Sequence, residues 1–219
     1  MEHASIAAFA RFVLHLLSCG APADLVLSAQ AAIADELEHA RMCFALASAH
    51  AGEALGPDRL AIERSLDDSE ERTILITTIR EGCIGETIAA LEATEALAHA
   101  TDPAVRAALV KIADDERRHA GLAWRYVAWA LARGDGSLRA IAAAELAAAL
   151  SESPSETSAD DLSHDEPLIA FGILSAARRA EIRRQTLAHA VAPIARALLG
   201  GLMSSERRPI AIEAPLHDV

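Results

Sequence analysis

Aromatic residues, cysteines and basic residues are all scarce in this chain of 219 residues. Phe, Trp and Tyr make up 3% of it, Cys occurs three times, and 20 Lys and Arg stand against 32 Asp and Glu, for a formal charge of −12. This negative charge repels phosphate backbones and excludes a broad nucleic-acid interface. The odd, widely spaced cysteine set argues against a disulfide framework and favours a reducing compartment, so we expect a cytoplasmic protein.

Long apolar runs are missing as well. No stretch approaches the roughly 20 residues needed to cross a bilayer, and the opening residues lack the basic start and cleavage site of a signal peptide. We therefore expect a soluble protein with no membrane partner. Ala, Leu and Ile are abundant, and Gly and Pro are sparse between a few clusters, a composition typical of an all-α protein.

Apolar periodicity predicts four long helices within residues 1–133. The first ends near Ser18, before the Gly and Pro of "CGAPAD", and the second covers about residues 22–50. The third covers about residues 69–100, and the fourth starts at "TDP", where Asp102 can cap it. Short turns join the first two helices and the last two, and about seventeen residues separate the second from the third, so we expect two antiparallel hairpins joined by a long crossover.

Residues 134–200 are predicted to form a C-terminal helical extension. It comprises a shorter helix over about residues 137–150, an acidic loop rich in Ser and Pro over residues 151–167, and a last helix over about 168–199 that Pro193 kinks. The tail, residues 201–219, has no clear period and is expected to be extended or mobile.

One six-residue pattern occurs twice, as "DELEHA" starting at Asp35 and as "DERRHA" starting at Asp115. Each copy places a Glu and a His one helical turn apart on the same face, in the middle of an apolar stripe, so both pairs should point into the bundle. These pairs are Glu36 with His39 and Glu116 with His119. An uncompensated carboxylate would be costly at such a depth, which points to bound metal.

Two further glutamates are expected at the same level, because residues equidistant from the turn of an antiparallel hairpin lie side by side. Glu86 comes opposite the second motif and Glu2 opposite the first, although Glu2 would fray unless the helix extends upstream or later helices pin it. The inferred metal ligands are Glu2, Glu36, His39, Glu86, Glu116 and His119. Asp35 and Asp115 are placed to accept the second ring proton of a ligating histidine.

The charge of four carboxylates matches that of two divalent cations. Hard carboxylate oxygens together with imidazole suit iron or manganese better than the sulfur-rich sites of structural zinc. We therefore expect two iron ions, with manganese or a mixed iron and manganese pair as the alternative.

Residues 1–133, with these six residues, resemble the ferritin-like di-iron carboxylate superfamily, whose bundle takes one Glu from each of two helices and Glu-x-x-His from each of the other two. "DERRHA" matches the Asp-Glu-x-Arg-His form of oxygenases, desaturases and ribonucleotide reductase small subunits. The first copy has Glu38 in place of that arginine, and "ELEHARMCF" is more similar to rubrerythrins, so the subfamily stays open. The resemblance implies a ferritin-like four-helix bundle.

The resemblance also implies an oxidoreductase that activates dioxygen or peroxide to oxidise an unknown small-molecule substrate, with an unidentified electron donor, as a monomer or a homodimer. Glu2 and Glu36 with His39 would mainly hold one ion, Glu86 and Glu116 with His119 the other, and some of the glutamates would bridge. The alternative is a ferroxidase or an iron-handling ferritin- or rubrerythrin-like protein, with Fe(II) as its substrate and a cage or ring of many copies. A helical interaction module without metal is the third possibility.

Other reactive side chains are interpreted as structural. Cys43 and Cys83, each one turn from an inferred ligand, are predicted to be small core residues. Tyr126 is predicted to be a packing residue rather than an electron relay. The remaining seven histidines carry no partner pattern, and solvent or helix caps explain most of them.

Overall fold

The computed structural model describes residues 2–134, 136–151 and 166–205, without the side chains of residues 2, 166, 167 and 201–205. All regular structure in these ranges is helical, which confirms the all-α prediction. The acidic loop and the tail predicted from the sequence lie mostly outside the described residues. None of the described helices is long and apolar enough to span a membrane.

Four long helices form the first part of the chain. Helix α1 covers Glu2–Ser18, α2 covers Ala23–Ala51, α3 covers residues 71–99 and α4 covers Pro103–Ala132. Helix α3 runs without a break through three segments, which are α-helical Glu71–Thr77, π-helical Thr78–Glu86 and α-helical Thr87–His99. The ends agree with the predicted ones to within about two residues.

Local sequence explains where these helices begin and end. Gly20, with φ of +64°, ends the first helical region in the left-handed conformation that glycine tolerates best. The Asp102 side chain accepts hydrogen bonds from the backbone N–H groups of Ala104 and Val105 at 2.8 and 3.0 Å, and Pro103 occupies the first turn of α4. These short turns pack α1 against α2 and α3 against α4, and α2 also contacts α4.

The C-terminal extension consists of α5 (Gly136–Ser151), a single turn α6 (Glu166–Ile169) and α7 (residues 176–205). Both α5 and α7 pack against α3 and against each other. The prediction of one helix from residue 168 onward was wrong, because Gly172 takes a φ of +76° and Ser175 caps a new helix by accepting from the backbone N–H of Arg178. Helix α7 then contains a π segment, Leu187–Val191, just before the predicted kink at Pro193, and it continues to Ser205, into the predicted tail.

The π segment of α3 lies close to α4. A Cβ atom placed on Gly82 would lie 2.6 Å from Cβ of Ala123, a distance that real Cβ atoms essentially never show. Only glycine allows this approach, and the same segment ends at Glu86. The close contact therefore helps to position Glu86 against the interior face of α4.

Candidate metal centre

Helices α2 and α4 carry both Glu-x-x-His pairs into the interior, as the apolar stripes predict. Relative exposure is 1% for Glu36, 0% for His39, 4% for Glu116 and 2% for His119. Ionisable side chains are almost never buried to this degree unless they are paired or bind a metal. The structure thus places the two motifs at one buried location.

The two motif carboxylates lie between the two imidazole rings. Nδ1 of His119 is 3.2 Å from Oε1 of Glu36 and 3.1 Å from Oε2 of Glu116. Nδ1 of His39 is 3.6 Å from the nearest oxygen of each glutamate. Each motif carboxylate therefore approaches both histidines and not only the histidine of its own motif.

The outer nitrogen of each histidine is held by an aspartate from the opposite motif. Nε2 of His39 donates to Oδ2 of Asp115 at 2.8 Å, and Nε2 of His119 lies 3.3 Å from Oδ2 of Asp35. Both aspartates take the predicted role, but the pairing is crosswise, between α2 and α4. With Nε2 facing an aspartate, Nδ1 is the ring nitrogen that faces the two glutamates.

A lysine and an arginine neutralise these aspartates from outside. Nζ of Lys111 lies 2.7 Å from Asp115 and 3.7 Å from Asp35, and the guanidinium of Arg118 contacts both carboxylates, at 3.1 Å for Asp35. The aspartates therefore add little net negative charge to the centre. Sequence reasoning missed Lys111, although its position four residues before Asp115 on the same helix is a detectable signal.

Glu86 joins the centre from the end of the π segment. It is half-buried and lines two cavities of the bundle. Burial and a hydrogen bond with Glu116 raise the pKa of Glu86 far above its ordinary value, so this carboxyl is protonated in the metal-free protein. The structure thus brings together five of the six predicted ligands. The backbone of Glu2 begins α1, but its side chain lies outside the described residues.

The residues present fit a metal site. Oε2 of Glu36 and Nδ1 of His39 are buried and have no hydrogen-bond partner among the described residues. Burial lowers the pKa of His119, but hydrogen bonds to Glu116 and Glu36 outweigh it and raise that pKa to about 10. Protons therefore balance the charge of the metal-free centre. Divalent cations would balance the charge of the carboxylates more completely than protons do. They would also bind Oε2 of Glu36 and Nδ1 of His39, which have no hydrogen-bond partner among the described residues.

Two cavities reach the centre. A small one of about 50 Å³ lies between α1 and α3, and its lining includes Phe9, Glu86 and His119. The ring centroid of Phe9 is 4.8 Å from that of His119, so Phe9 covers the histidine. A larger cleft of about 800 Å³ has Glu86 and Glu116 in its lining.

Of the reactive side chains that were predicted to be structural, Cys83 and Tyr126 are buried as expected. Cys83 is fully buried and its burial raises the pKa of the thiol, whereas Cys43 is half-buried because it borders the larger cleft. Tyr126 is buried with its ring edge-on to Phe12, as expected for packing. Neither solvent nor a helix cap explains His15, which is only 4% exposed and whose Nε2 has no hydrogen-bond partner among the described residues. Its position one helical turn after Phe12 was the signal for burial that the sequence analysis missed.

The donor set of the centre consists of imidazole nitrogens and carboxylate oxygens, the kind that suits iron and manganese. Comparisons with protein-family models, with curated proteins and with solved structures found no match to this chain. The geometry, burial and charge of these residues are therefore the basis for assigning a function.

Proposed function

We propose that this protein is a di-metal carboxylate oxidoreductase with two iron or manganese ions in a ferritin-like four-helix bundle, and with dioxygen or peroxide as its oxidant. One observation carries this proposal. Two buried glutamates and two buried histidines from α2 and α4 converge, and ligand atoms of Glu36, Glu116 and His119 lie within 4.8 Å of one another. Oε2 of Glu36 and Nδ1 of His39 have no hydrogen-bond partner among the described residues. A purely structural cluster would satisfy those atoms within the protein.

Each residue of the centre has a definite part in holding the ions. His39 and His119 would hold the ions through Nδ1, and Glu36, Glu116 and Glu86 would hold them through carboxylate oxygens, with Glu2 as a further proposed ligand. Bound iron or manganese would supply one-electron redox steps with dioxygen or peroxide. The protein holds both imidazole rings in a fixed orientation, because an aspartate contacts Nε2 of each histidine.

The protein also controls water and protons at this location. Phe9 of α1 packs against the ring of His119, and Glu86 lines both cavities that reach the centre. In the metal-free state Glu86 holds a proton against Glu116, and His119 is protonated at neutral pH. Metal must displace these protons, so the apparent metal affinity should fall as the pH falls.

Anaerobic Fe(II) titration with elemental analysis, followed by exposure to oxygen, tests the proposal. We expect uptake of about two ions per chain and a colour change on oxidation. Glu36→Gln should lose at least one ion, because it removes a buried charged ligand. Glu38→Gln is the matched control, two residues further along α2, since the carboxylate of Glu38 forms its ion pair with the exposed Arg41.

The outcome is decisive in either direction. Absence of metal uptake by the wild-type chain contradicts the proposal. Equal uptake by Glu36→Gln and the wild type contradicts the assignment of the ligands.

A further inference from the structure

The larger cleft has the dimensions of a binding site for a small organic molecule. Its volume of about 800 Å³ lies within the range of roughly 300–1,000 Å³ that is typical of ligand pockets. It follows α3 and is bordered by α1, α4, the crossover segment and the C-terminal extension. Glu86 and Glu116 belong to its lining, so a molecule in the cleft would lie beside the proposed metal centre.

The cleft is long and mainly apolar. On α3 its wall includes Ala89, Ala93 and Ala96, whose short side chains leave room, together with Glu81 and Glu92. Leu109 and Ile112 contribute to the wall from α4. The ten residue steps from Glu86 to Ala96 rise about 15 Å along α3, at about 1.5 Å for each step. An occupant that reaches the carboxylates and fills this wall is therefore elongated.

The charges along the cleft do not favour an ionic occupant. Arg11 pairs with Glu81 at 2.5 Å, and Arg179 has Glu92 at 3.8 Å. Each guanidinium in the described lining thus already has a carboxylate, and an anionic ligand would have to compete with it. The carboxylates of the centre are partnered within the protein as well, because Glu116 has Nδ1 of His119 at 3.1 Å and shares a hydrogen bond with Glu86. These pairings favour an uncharged molecule.

Two parts of the chain outside the four helices complete the cleft. The crossover contributes Ile62, which is 57% exposed on one wall. The extension contributes Gly172 and Leu174 at the far end. A Cβ on Gly172 would lie 3.0 Å from side-chain atoms of Val105 and Leu109, so the extension packs tightly against α4. An apolar occupant would cover Ile62, which otherwise faces water.

We propose that this cleft binds an elongated, uncharged and mainly apolar molecule, such as an alkyl chain or a fused-ring compound, with one end beside Glu86 and Glu116. The position of that end next to metal rests on the proposed function. Binding of the molecule does not, because the cleft is formed by the protein alone.

Binding of N-phenyl-1-naphthylamine, an uncharged apolar fluorophore, tests the proposal on the metal-free chain at pH 8. We expect one saturable site, from which 1-decanol displaces the probe, while decanoate, of equal length but charged, is at least about tenfold weaker. Non-saturable binding, or decanoate that competes as well as decanol, would overturn the proposal.

Two variants and one control locate the site. Ile62→Asp places a charge on the cleft wall and should weaken probe binding by about tenfold or more. Ala89→Phe fills the cleft about one turn from Glu86 and should have the same effect. Leu66→Asp is the matched control, because Leu66 is 47% exposed in the same segment but does not line the cleft. Equal weakening by the control, or unchanged binding in both cleft variants, would contradict the assignment; circular dichroism verifies that each variant is folded.

Fe(II) uptake by Ile62→Asp separates this proposal from the proposed function. We expect uptake to stay at the wild-type level, because Ile62 is not a ligand. Metal uptake without saturable probe binding would refute the cleft proposal alone. Saturable probe binding without metal uptake would refute the di-metal function and leave the cleft assignment standing.

Discussion

Asp115→Asn should weaken metal binding by removing the charge that supports His39. Asp115 is buried, accepts a hydrogen bond from Nε2 of His39 at 2.8 Å and contacts Nζ of Lys111 at 2.7 Å. Asparagine keeps the shape and can still accept through its amide oxygen. Its amide is neutral, however, so the imidazole becomes a poorer metal donor and the lysine loses its nearest anion.

The size of the effect follows from the contact that is lost. Replacing such an outer partner of a metal-binding histidine typically costs about 10–100-fold in metal affinity, or about 1.4–2.7 kcal/mol. We expect Asp115→Asn near the upper end of that range. Asp35→Asn should lie near the lower end, because Asp35 is 3.3 Å from His119 and its side chain is 17% exposed, against 5% for Asp115.

Anaerobic titration of Fe(II) against a chromophoric chelator measures this loss. Asp114→Asn is the control, since Asp114 precedes Asp115 on α4 but is 72% exposed and pairs only with Arg117 among the described residues. Wild-type affinity in Asp115→Asn would refute the reasoning. So would an equal loss in Asp114→Asn, because the effect would then come from net charge rather than from His39.

Three further predictions concern stability. Gly82→Ala should lower the free energy of unfolding by about 1–3 kcal/mol, because the new Cβ would lie 2.6 Å from Cβ of Ala123; an unchanged urea midpoint would argue against that close approach. Asp102→Ala should cost about 1 kcal/mol in the same assay by removing two N-cap hydrogen bonds, and a cost near zero would show that this cap is not needed. Burial, followed by the charge of Arg11, lowers the pKa of His15, so the unfolded chain binds the proton more readily and stability falls as the pH drops through 6.5. His15→Leu should lose that part of the pH dependence, and identical pH profiles for variant and wild type would contradict it.

Local signals were sufficient to predict the four long helices of residues 2–132 and the meeting of the two motifs in the interior. The cap at Asp102 and the Gly and Pro of the turn at residues 19–24 are read from neighbouring residues, and they define the ends of the helices. Spacing of i and i+3 placed each motif pair on one face, and reflection across the α3–α4 turn placed Glu86 at their level. The identity of the centre as a metal site stays a prediction, as does the role of Glu2.

Features that depend on contacts between helices could not be predicted. The crosswise pairing of each aspartate with the other motif's histidine depends on the rotation of α2 relative to α4, which periodicity within one helix does not specify. The π segment of α3 depends on how closely Gly82 approaches Ala123, and nine residues are too few to separate its period from that of an α-helix. The break at Gly172 likewise follows from the packing of the extension against α4.

X-ray absorption at the iron edge, on protein loaded anaerobically with Fe(II) and then exposed to oxygen, tests the di-metal centre most directly. We predict a metal–metal distance of about 3.5–4 Å and imidazole scattering that decreases in His39→Gln and in His119→Gln. Isolated ions without a metal neighbour, or spectra that do not change in these two variants, would contradict a paired site between α2 and α4.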